Sequence, residues 1–379
     1  MEQLKSPIRV LEVFGRMDRG GAEAMIMNLY RKMDRTKVQL DFMVHTEERC
    51  QFDDEIEKLG GHIYHVPRFK VHNFISYRKA WKKFFKEHPE YRVVHGHMGA
   101  TAAIYLYEAN KTGCFSIAHS HSVGMLKTLD DVLYKFFSFP TRYVAKQMFG
   151  CSTQAGAARY GERVVKGAHY INFPNAIDLK RFEFHSEERM RIRKELNIAQ
   201  EQLMVIHVGR LTAAKNPEMI LKVFSEVVRK DANAICLWVG TGELEDKYQR
   251  LIQEQGLQNR IRMLGVRTDI PQLLQAADVF LFPSLWEGLP VSVVEAQATG
   301  LPCVIADTIS KEVKITSLVE FHSLSEPPGL WAERCMELGR DSIINRESPL
   351  TDIRKAGYDI DESVKWLEDF YINQSHTHE

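Results

Sequence analysis

Nowhere in the 379 residues does an apolar run approach the roughly 18 residues that a membrane-crossing helix requires, which predicts a soluble or peripheral protein. The opening stretch, MEQLKSPIRVLEVFG, lacks the long apolar core of a signal peptide. The six cysteines (Cys50, Cys114, Cys151, Cys236, Cys303 and Cys335) are scattered, with no CxxC and no zinc-type spacing. Reduced structural thiols in a cytoplasmic protein fit that pattern best. No segment repeats, and no tract is of low complexity. Net charge is missing too: 50 Lys+Arg balance 50 Asp+Glu, which argues against a dedicated nucleic-acid binder.

The overall balance hides a segregation. Residues 1–175 carry 26 basic and 18 acidic side chains, and residues 176–379 carry 24 and 32. A basic first half predicts an anionic partner for that half. The length exceeds what one hydrophobic core usually supports, so two domains are expected.

Short apolar runs alternate with helical patterns along the whole chain. In the first half the runs lie at 8–14, 38–44, 62–66, 91–95 and 115–118, with helical stretches from Ala22 and near 52–59, 74–87, 100–110 and 129–148. The second half has LMVIHVG (203–209), AICLWVG (234–240), RIRML (260–264), VFLFP (279–283) and PCVIA (302–306). Between them, Asn216-Pro217 reads as a cap and first turn, and further helices fall at 243–255 and 269–276 and from Pro290. Strand–helix alternation of this kind gives parallel α/β sheets. The polar, aperiodic stretch at 174–200 marks the boundary, giving domains of 1–175 and 176–359. A helix at about 360–373 is expected to pack back on the first domain, with a frayed end from Gln374.

In doubly wound sheets ligands bind outside the carboxyl ends of the strands, so residues there are the candidates. The most specific motif is Glu287-Gly288-Leu289-Pro290-Val291-Ser292-Val293-Val294-Glu295, which follows a strand and opens a helix. Free N–H groups at Leu289, Val291 and Ser292 and the positive helix end suit an anion or a polar sugar. Glu287 and Glu295 can each grip vicinal hydroxyls. Gly209-Arg210-Leu211-Thr212-Ala213-Ala214-Lys215 places two cations at another helix start, where a pyrophosphate would sit. Gly240-Thr241-Gly242 and Gly265-Val266 are further strand-end turns that allow close backbone approach to a ligand. In the first half, Arg19-Gly20-Gly21 lies in the first strand-to-helix loop. It is not GxGxxG, so a nicotinamide cofactor gains little support. His95, His97, His119 and His121 follow two strand-like runs. Metal binding and hydrogen bonding to a sugar or phosphate are both readings of them; with one histidine of each pair expected inward and the other in a wall, hydrogen bonding is favoured.

Taken in order, these pieces resemble the retaining glycosyltransferases of family 4. The resemblance runs from Gly20-Gly21 through His95/His97, His119, Pro174-Asn175-Ala176-Ile177-Asp178, Arg210…Lys215 and Gly240-Thr241-Gly242 to Glu287…Glu295. Ala176 stands where the family usually has glycine. The resemblance implies the GT-B fold, two Rossmann-like halves facing each other across a cleft. It implies a nucleotide-sugar co-substrate, UDP-linked by preference, and no metal or other cofactor. Arg210 and Lys215 would neutralise the diphosphate and Glu295 would hold the ribose. Glu287 and the backbone of Gly288, Leu289, Val291 and Ser292 would hold the sugar, with Gly240 and Thr241 approaching the donor and Val266 offering backbone groups to the nucleobase edge. His119 would sit by the reacting carbon, Gly20 and Gly21 near the phosphates, and His97 and His121 toward the acceptor.

Ile315–Leu324 and Trp331-Ala332 further resemble a bacterial exopolysaccharide or capsule subgroup, whose acceptor is a lipid-linked oligosaccharide at the inner membrane leaflet. Tyr77, Trp81, Phe84 and Phe85 share one helical face among Arg78, Lys79, Lys82, Lys83 and Lys86, and the 129–148 stretch adds Phe136, Phe137, Arg142, Tyr143 and Lys146, either as a membrane-docking surface or as core-facing helices with a basic rim. A UDP-sugar epimerase of the same fold and a non-catalytic sugar-nucleotide-binding subunit are the alternatives.

Overall fold

The structure is a computed structural model that describes residues 6–18, 20–121, 135–342 and 346–376. The chain forms two compact units, Met1–Ala176 with Asp359–Glu379, and Ile177–Tyr358.

The first unit is built on seven parallel strands: β1 (Ile8–Val13), β2 (Val38–Val44), β3 (Ile63–His65), β4 (Val93–Gly96), β5 (Phe115–Ser120), β6 (Gln147–Gly150) and β7 (Tyr170–Asn172), ordered β3-β2-β1-β4-β5-β6-β7. Every residue of β2, VQLDFMV, is buried, as expected of a strand covered by helices on both faces. The crossovers are α1 (Gly21–Lys32), α2 (Asp53–Lys58), α3 (Phe74–Glu87), α4 (Ala102–Lys111), α5 (Thr141–Val144) and α6 (Thr153–Tyr160). One core cluster lies on the α1 side of the sheet and another on the α3–α4 side.

The second unit repeats the winding with β8 (Met204–Val208), β9 (Ile235–Val239), β10 (Ile261–Gly265), β11 (Val279–Phe282), β12 (Cys303–Ala306) and β13 (Val319–His322), ordered β10-β9-β8-β11-β12-β13. Its helices are α7 (Leu179–Phe182), α8 (Ser186–Glu195), α9 (Pro217–Lys230), α10 (Glu245–Glu254), α11 (Ile270–Ala276), α12 (Val291–Ala298), α13 (Pro328–Ser342) and α14 (Leu350–Lys355). The chain enters and leaves this unit side by side, Ile177 N–H donating to the Tyr358 carbonyl at 2.9 Å. It then forms α15 (Ile360–His376), which packs on α1, β1, β2 and β4 of the first unit.

Several expectations need correction. The stretch at 174–200 contains α7 and α8. The helix α8 escapes a search for apolar periodicity because its inward positions include Arg189 and Arg193. Both are buried; Arg189 binds Asp278 at 2.7 Å, and Arg193 binds Asp278 at 3.3 Å and the Ala276 carbonyl at 2.9 Å. The helix read at 129–148 is not continuous: 129–134 lie outside the described residues, 135–138 and α5 are separate turns around Pro140, and Gln147–Gly150 is a strand. The last helix does not fray at Gln374 but continues to His376; residues 377–379 lie outside the described residues. Tyr77, Trp81, Phe84 and Phe85 are buried in the core under α3, so that face is a packing face.

Candidate active site

In both sheets the winding reverses between the first and fourth strands of the unit, at β1/β4 and at β8/β11. Such reversals open a crevice beyond the strand ends, where ligands bind. Most predicted site residues fall at these two points, while Gly240, Thr241 and Val266 follow the neighbouring strands β9 and β10.

In the second unit the loop after β8 runs through Gly209 and Arg210 into a turn of 3-10 helix, Ala213–Lys215. Asn216 then takes a left-handed conformation (φ 54°), accepts from the Met219 N–H, and starts α9 at Pro217. This cap turns Lys215 back, so its Cε lies beside Gly209. Its ammonium meets the Glu287 carboxylate at 2.5 Å and lies 4.7 Å from the centre of the Phe282 ring. Two predicted site residues from either side of the reversal are therefore paired, both largely screened from solvent. Arg210 is exposed beside them.

The glycine turns tie the three strand ends together. Gly209 N–H donates to Val239 and Leu211 N–H to Thr241, while Gly240 N–H donates to Gly265. Gly240 has φ 126°, and a Cβ there would lie 2.1 Å from the Gly209 carbonyl oxygen, so only glycine fits. Beyond Gly265, Val266 is exposed.

Helix α12 starts at Val291, with Pro290 at the cap position rather than inside the first turn. The N–H groups of Val291 and Ser292 are among those a helix start leaves without an intrahelical partner. The Leu289 side chain is buried in the core, so only its backbone can face a ligand. Glu295 lies one turn into α12 and is half-buried. Burial pushes its carboxyl up to about 7, while Arg181 pulls it down. The sequence reading missed His207 on β8. It is buried, its Nδ1 is 2.9 Å from the Leu281 carbonyl, and its Nε2 lies beneath Gly209 with no partner among the described residues.

In the first unit the histidines gather at the β1/β4/β5 ends. Residues i and i+2 of a strand point to the same side, so the expectation of one inward and one wall histidine per pair is wrong. The rings of His95, His97, His119 and His121 form one cluster with neighbouring centres 4.1–5.3 Å apart, His95 stacked on His119 and His97 on His121. Phe14 stacks on His97 at 4.2 Å. Burial depresses all four imidazoles, that of His97 to about 3.

Sequence reasoning also missed two residues in this cluster. Glu12 is fully buried, 2.7 Å from His97 Nε2, and Tyr371 of α15 lies 2.9 Å from Glu12 and 2.6 Å from His95 Nδ1. A lone carboxylate inside the apolar run Ile8–Phe14 was the available signal for Glu12. Nothing local marks Tyr371, which is far away in sequence. Nitrogens of His95, His97 and His119 come within 4.8 Å of one another, but both nitrogens of His95 and His97 already have hydrogen-bond partners. A metal would have to displace Tyr371, Glu12 or another histidine. Gly20 caps α1 in an extended conformation, and a Cβ on Gly21 would enter open space; Arg19 lies outside the described residues.

Residues 188–317 match the family described as glycosyl transferases group 1. EpsF of Bacillus subtilis (strain 168), named as a glycosyltransferase, is 32% identical over 368 residues, covering 96% of each chain. An Escherichia coli UDP-Gal:alpha-D-GlcNAc-diphosphoundecaprenol alpha-1,3-galactosyltransferase is 25% identical, covering 79% of each. CapH of Staphylococcus aureus, a capsular polysaccharide biosynthesis glycosyltransferase, is 23% identical, covering 97% of this chain and 99% of its own. Among solved structures, HepE of Anabaena in complex with UDP-glucose superposes with a TM-score of 0.74 at 16% identity, over 96% of this chain and 98% of that one. With the two parallel sheets, this likeness establishes the GT-B fold.

Proposed function

The chain belongs to the group 1 glycosyl transferases, and we propose that it is a retaining, metal-independent enzyme of family 4. In this reading it moves a sugar from a UDP-sugar to a lipid-linked oligosaccharide in bacterial exopolysaccharide or capsule synthesis. The observation that carries the reading is the Lys215–Glu287 pair at the β8/β11 reversal.

A diphosphate entering there competes with Glu287 for Lys215, and Arg210 adds a second cation. Charge neutralisation by these two side chains takes the place of a metal. Glu287, once released, is free to accept hydroxyls of the donor sugar, assisted by N–H groups of Gly288, Leu289, Val291 and Ser292. Glu295 holds the ribose diol, and the turns at Gly240-Thr241 and Val266 lie against the nucleoside. His119 serves the reacting sugar, Gly20-Gly21 the phosphates, and His97 and His121 the acceptor.

The lipid-linked acceptor is supported by the diphosphoundecaprenol acceptor in the name of the Escherichia coli relative and the capsule setting by CapH. No helix among the described residues is long and apolar enough to cross a membrane, so contact with the inner leaflet would be peripheral. In this reading the docking surface keeps Phe136 and Tyr143 of the expected 129–148 stretch and uses exposed neighbours in place of the buried aromatic face of α3. Ile75 is 70% exposed, Phe136 72% and Tyr143 76%; Phe74, Tyr107 and Phe139 are exposed as well. Phe74, Tyr107, Phe136 and Phe139 line an open pocket of about 760 Å³, and exposed Lys79, Lys82, Lys86 and Lys111 line the adjoining one. Aromatic side chains ringed by lysines suit an anionic lipid surface.

The test is to supply UDP-glucose, UDP-galactose and UDP-GlcNAc in EDTA, with a diphosphoundecaprenol-linked saccharide, and to read the product linkage by NMR. Transfer with retained configuration is expected. Interconversion of the UDP-sugars without acceptor would show an epimerase instead.

A further inference from the structure

The histidine cluster is one continuous hydrogen-bonded chain with a carboxylate at its middle. From Glu12 Oε1 it runs to Tyr371 OH (2.9 Å), to His95 Nδ1 (2.6 Å), and from His95 Nε2 to His119 Nδ1 (3.2 Å). From Glu12 Oε2 it runs to His97 Nε2 (2.7 Å), and from His97 Nδ1 to His121 Nε2 (2.7 Å). Both arms end on buried nitrogens, His119 Nε2 and His121 Nδ1, with no partner among the described residues.

A neutral imidazole carries one proton, so fixing one nitrogen fixes the other. With Glu12 ionised, Tyr371 donates to Oε1 and must accept from His95 Nδ1–H. His95 Nε2 is then bare and accepts from His119 Nδ1–H, which leaves His119 Nε2 bare. On the other arm His97 Nε2–H donates to Oε2, so His97 Nδ1 accepts from His121 Nε2–H and His121 Nδ1 is bare.

We propose that Glu12, acting through Tyr371 and His95 on one side and His97 on the other, is the positioning residue that sets the tautomers of His119 and His121, so that both present bare acceptor nitrogens to a hydroxyl-bearing saccharide. The saccharide rests on the function proposed above; the tautomers do not. When Glu12 takes up a proton it becomes a donor to one arm. Each bond of that arm reverses, and the terminal nitrogen changes from acceptor to donor. The chain thus transmits the state of one buried carboxyl, by Grotthuss-like reversal, to one of the two terminal nitrogens.

The surroundings allow this and add one fixed charge. Phe14, Phe149 and Phe173 pack against the rings. Arg159 of α6 donates to the His119 carbonyl and disfavours protonation of His97, His119 and His121. The imidazoles therefore remain neutral, and Glu12, which burial pushes up to about 7, is the group that changes state near neutral pH.

The test is 15N NMR of the full chain labelled at histidine, with His119→Gln and His121→Gln used for assignment. At pH 8 the expected signature is a bare Nε2 on His119 and a bare Nδ1 on His121. Glu12→Gln has one acceptor and one donor side, so it should reverse the terminal tautomer of one arm at pH 8 and abolish any change in tautomer between pH 6 and 8. Tyr371→Phe should scramble His95 and His119 while leaving His97 and His121 as they were. A proton on His119 Nε2 or His121 Nδ1 in the wild type at pH 8, or a folded Glu12→Gln with all four tautomers unchanged, overturns the inference. Correct tautomers together with absent sugar transfer would leave the chain intact and remove the proposed function instead.

Discussion

The two sheets are wound alike, and each places its chemistry where the winding reverses, yet the two sites are made of opposite materials. At β8/β11 an ammonium and a carboxylate face each other near the surface, with Arg210 exposed beside them. At β1/β4 a carboxyl sits among four imidazoles, those of His95, His97 and His119 buried, with Arg159 against them. The first arrangement suits an ionic ligand that can exchange partners with an existing pair. The second suits a neutral, hydroxyl-bearing ligand that reads proton positions. Nucleotide-sugar chemistry needs both, a diphosphate to be neutralised and sugar hydroxyls to be oriented.

The sharpest contrast concerns buried charge. Asp278 is fully buried between Arg189 and Arg193, and it also accepts from the Met204 N–H at 2.7 Å. Asp278→Ala strands two buried guanidinium groups, so a loss of about 3–5 kcal/mol in unfolding free energy is expected by denaturant titration. Next in size is the ionic site. Lys215→Ala and Glu287→Ala should each lower turnover at least ~100-fold, about 2.7 kcal/mol, while leaving the melting temperature of the free protein nearly unchanged. Near-normal turnover in both would break the assignment of the second unit.

Glu12, unlike Asp278, has a phenol and imidazoles as its partners. Its folded pKa is raised, so its contribution to stability is full below about 4.5 and is lost as pH rises through about 7. The wild type should therefore lose on the order of 2 kcal/mol relative to Glu12→Gln between pH 5 and 8. A flat difference would show that Glu12 is ionised throughout. The smallest effect on stability belongs to the exposed aromatics. Phe136→Ser with Tyr143→Ser should stay within ~0.5 kcal/mol of wild type, yet abolish flotation with anionic liposomes. Flotation that is unchanged removes this patch as the docking surface.

Much of this could be read in the sequence because the decisive patterns are local. Buried parallel strands are mostly apolar, so β8, β9 and β11 announce themselves, and Asn216-Pro217 carries its own capping chemistry. The Lys215 and Glu287 motifs were visible because each directly follows a strand. What stayed hidden depends on tertiary pairing. The inward arginines of α8 look like surface residues until Asp278 is seen beneath them. The strands β6 (QMFG) and β7 (YIN) lack the unbroken apolar run that marks β11 (VFLF). The aromatic face of α3 has the same pattern whether it meets lipid or core, and only burial decides. Glu12 and Tyr371 meet across nearly the whole length of the chain.

The central claim, a metal-independent nucleotide-sugar site at Lys215 and Glu287, is tested most directly by the melting temperature with and without UDP in excess EDTA, for wild type and Lys215→Ala. At about 100 times its dissociation constant UDP should add ~2.7 kcal/mol to the wild type, a clear upward shift, and little to the variant. A shift that EDTA abolishes, or one that survives unchanged in Lys215→Ala, would contradict the account.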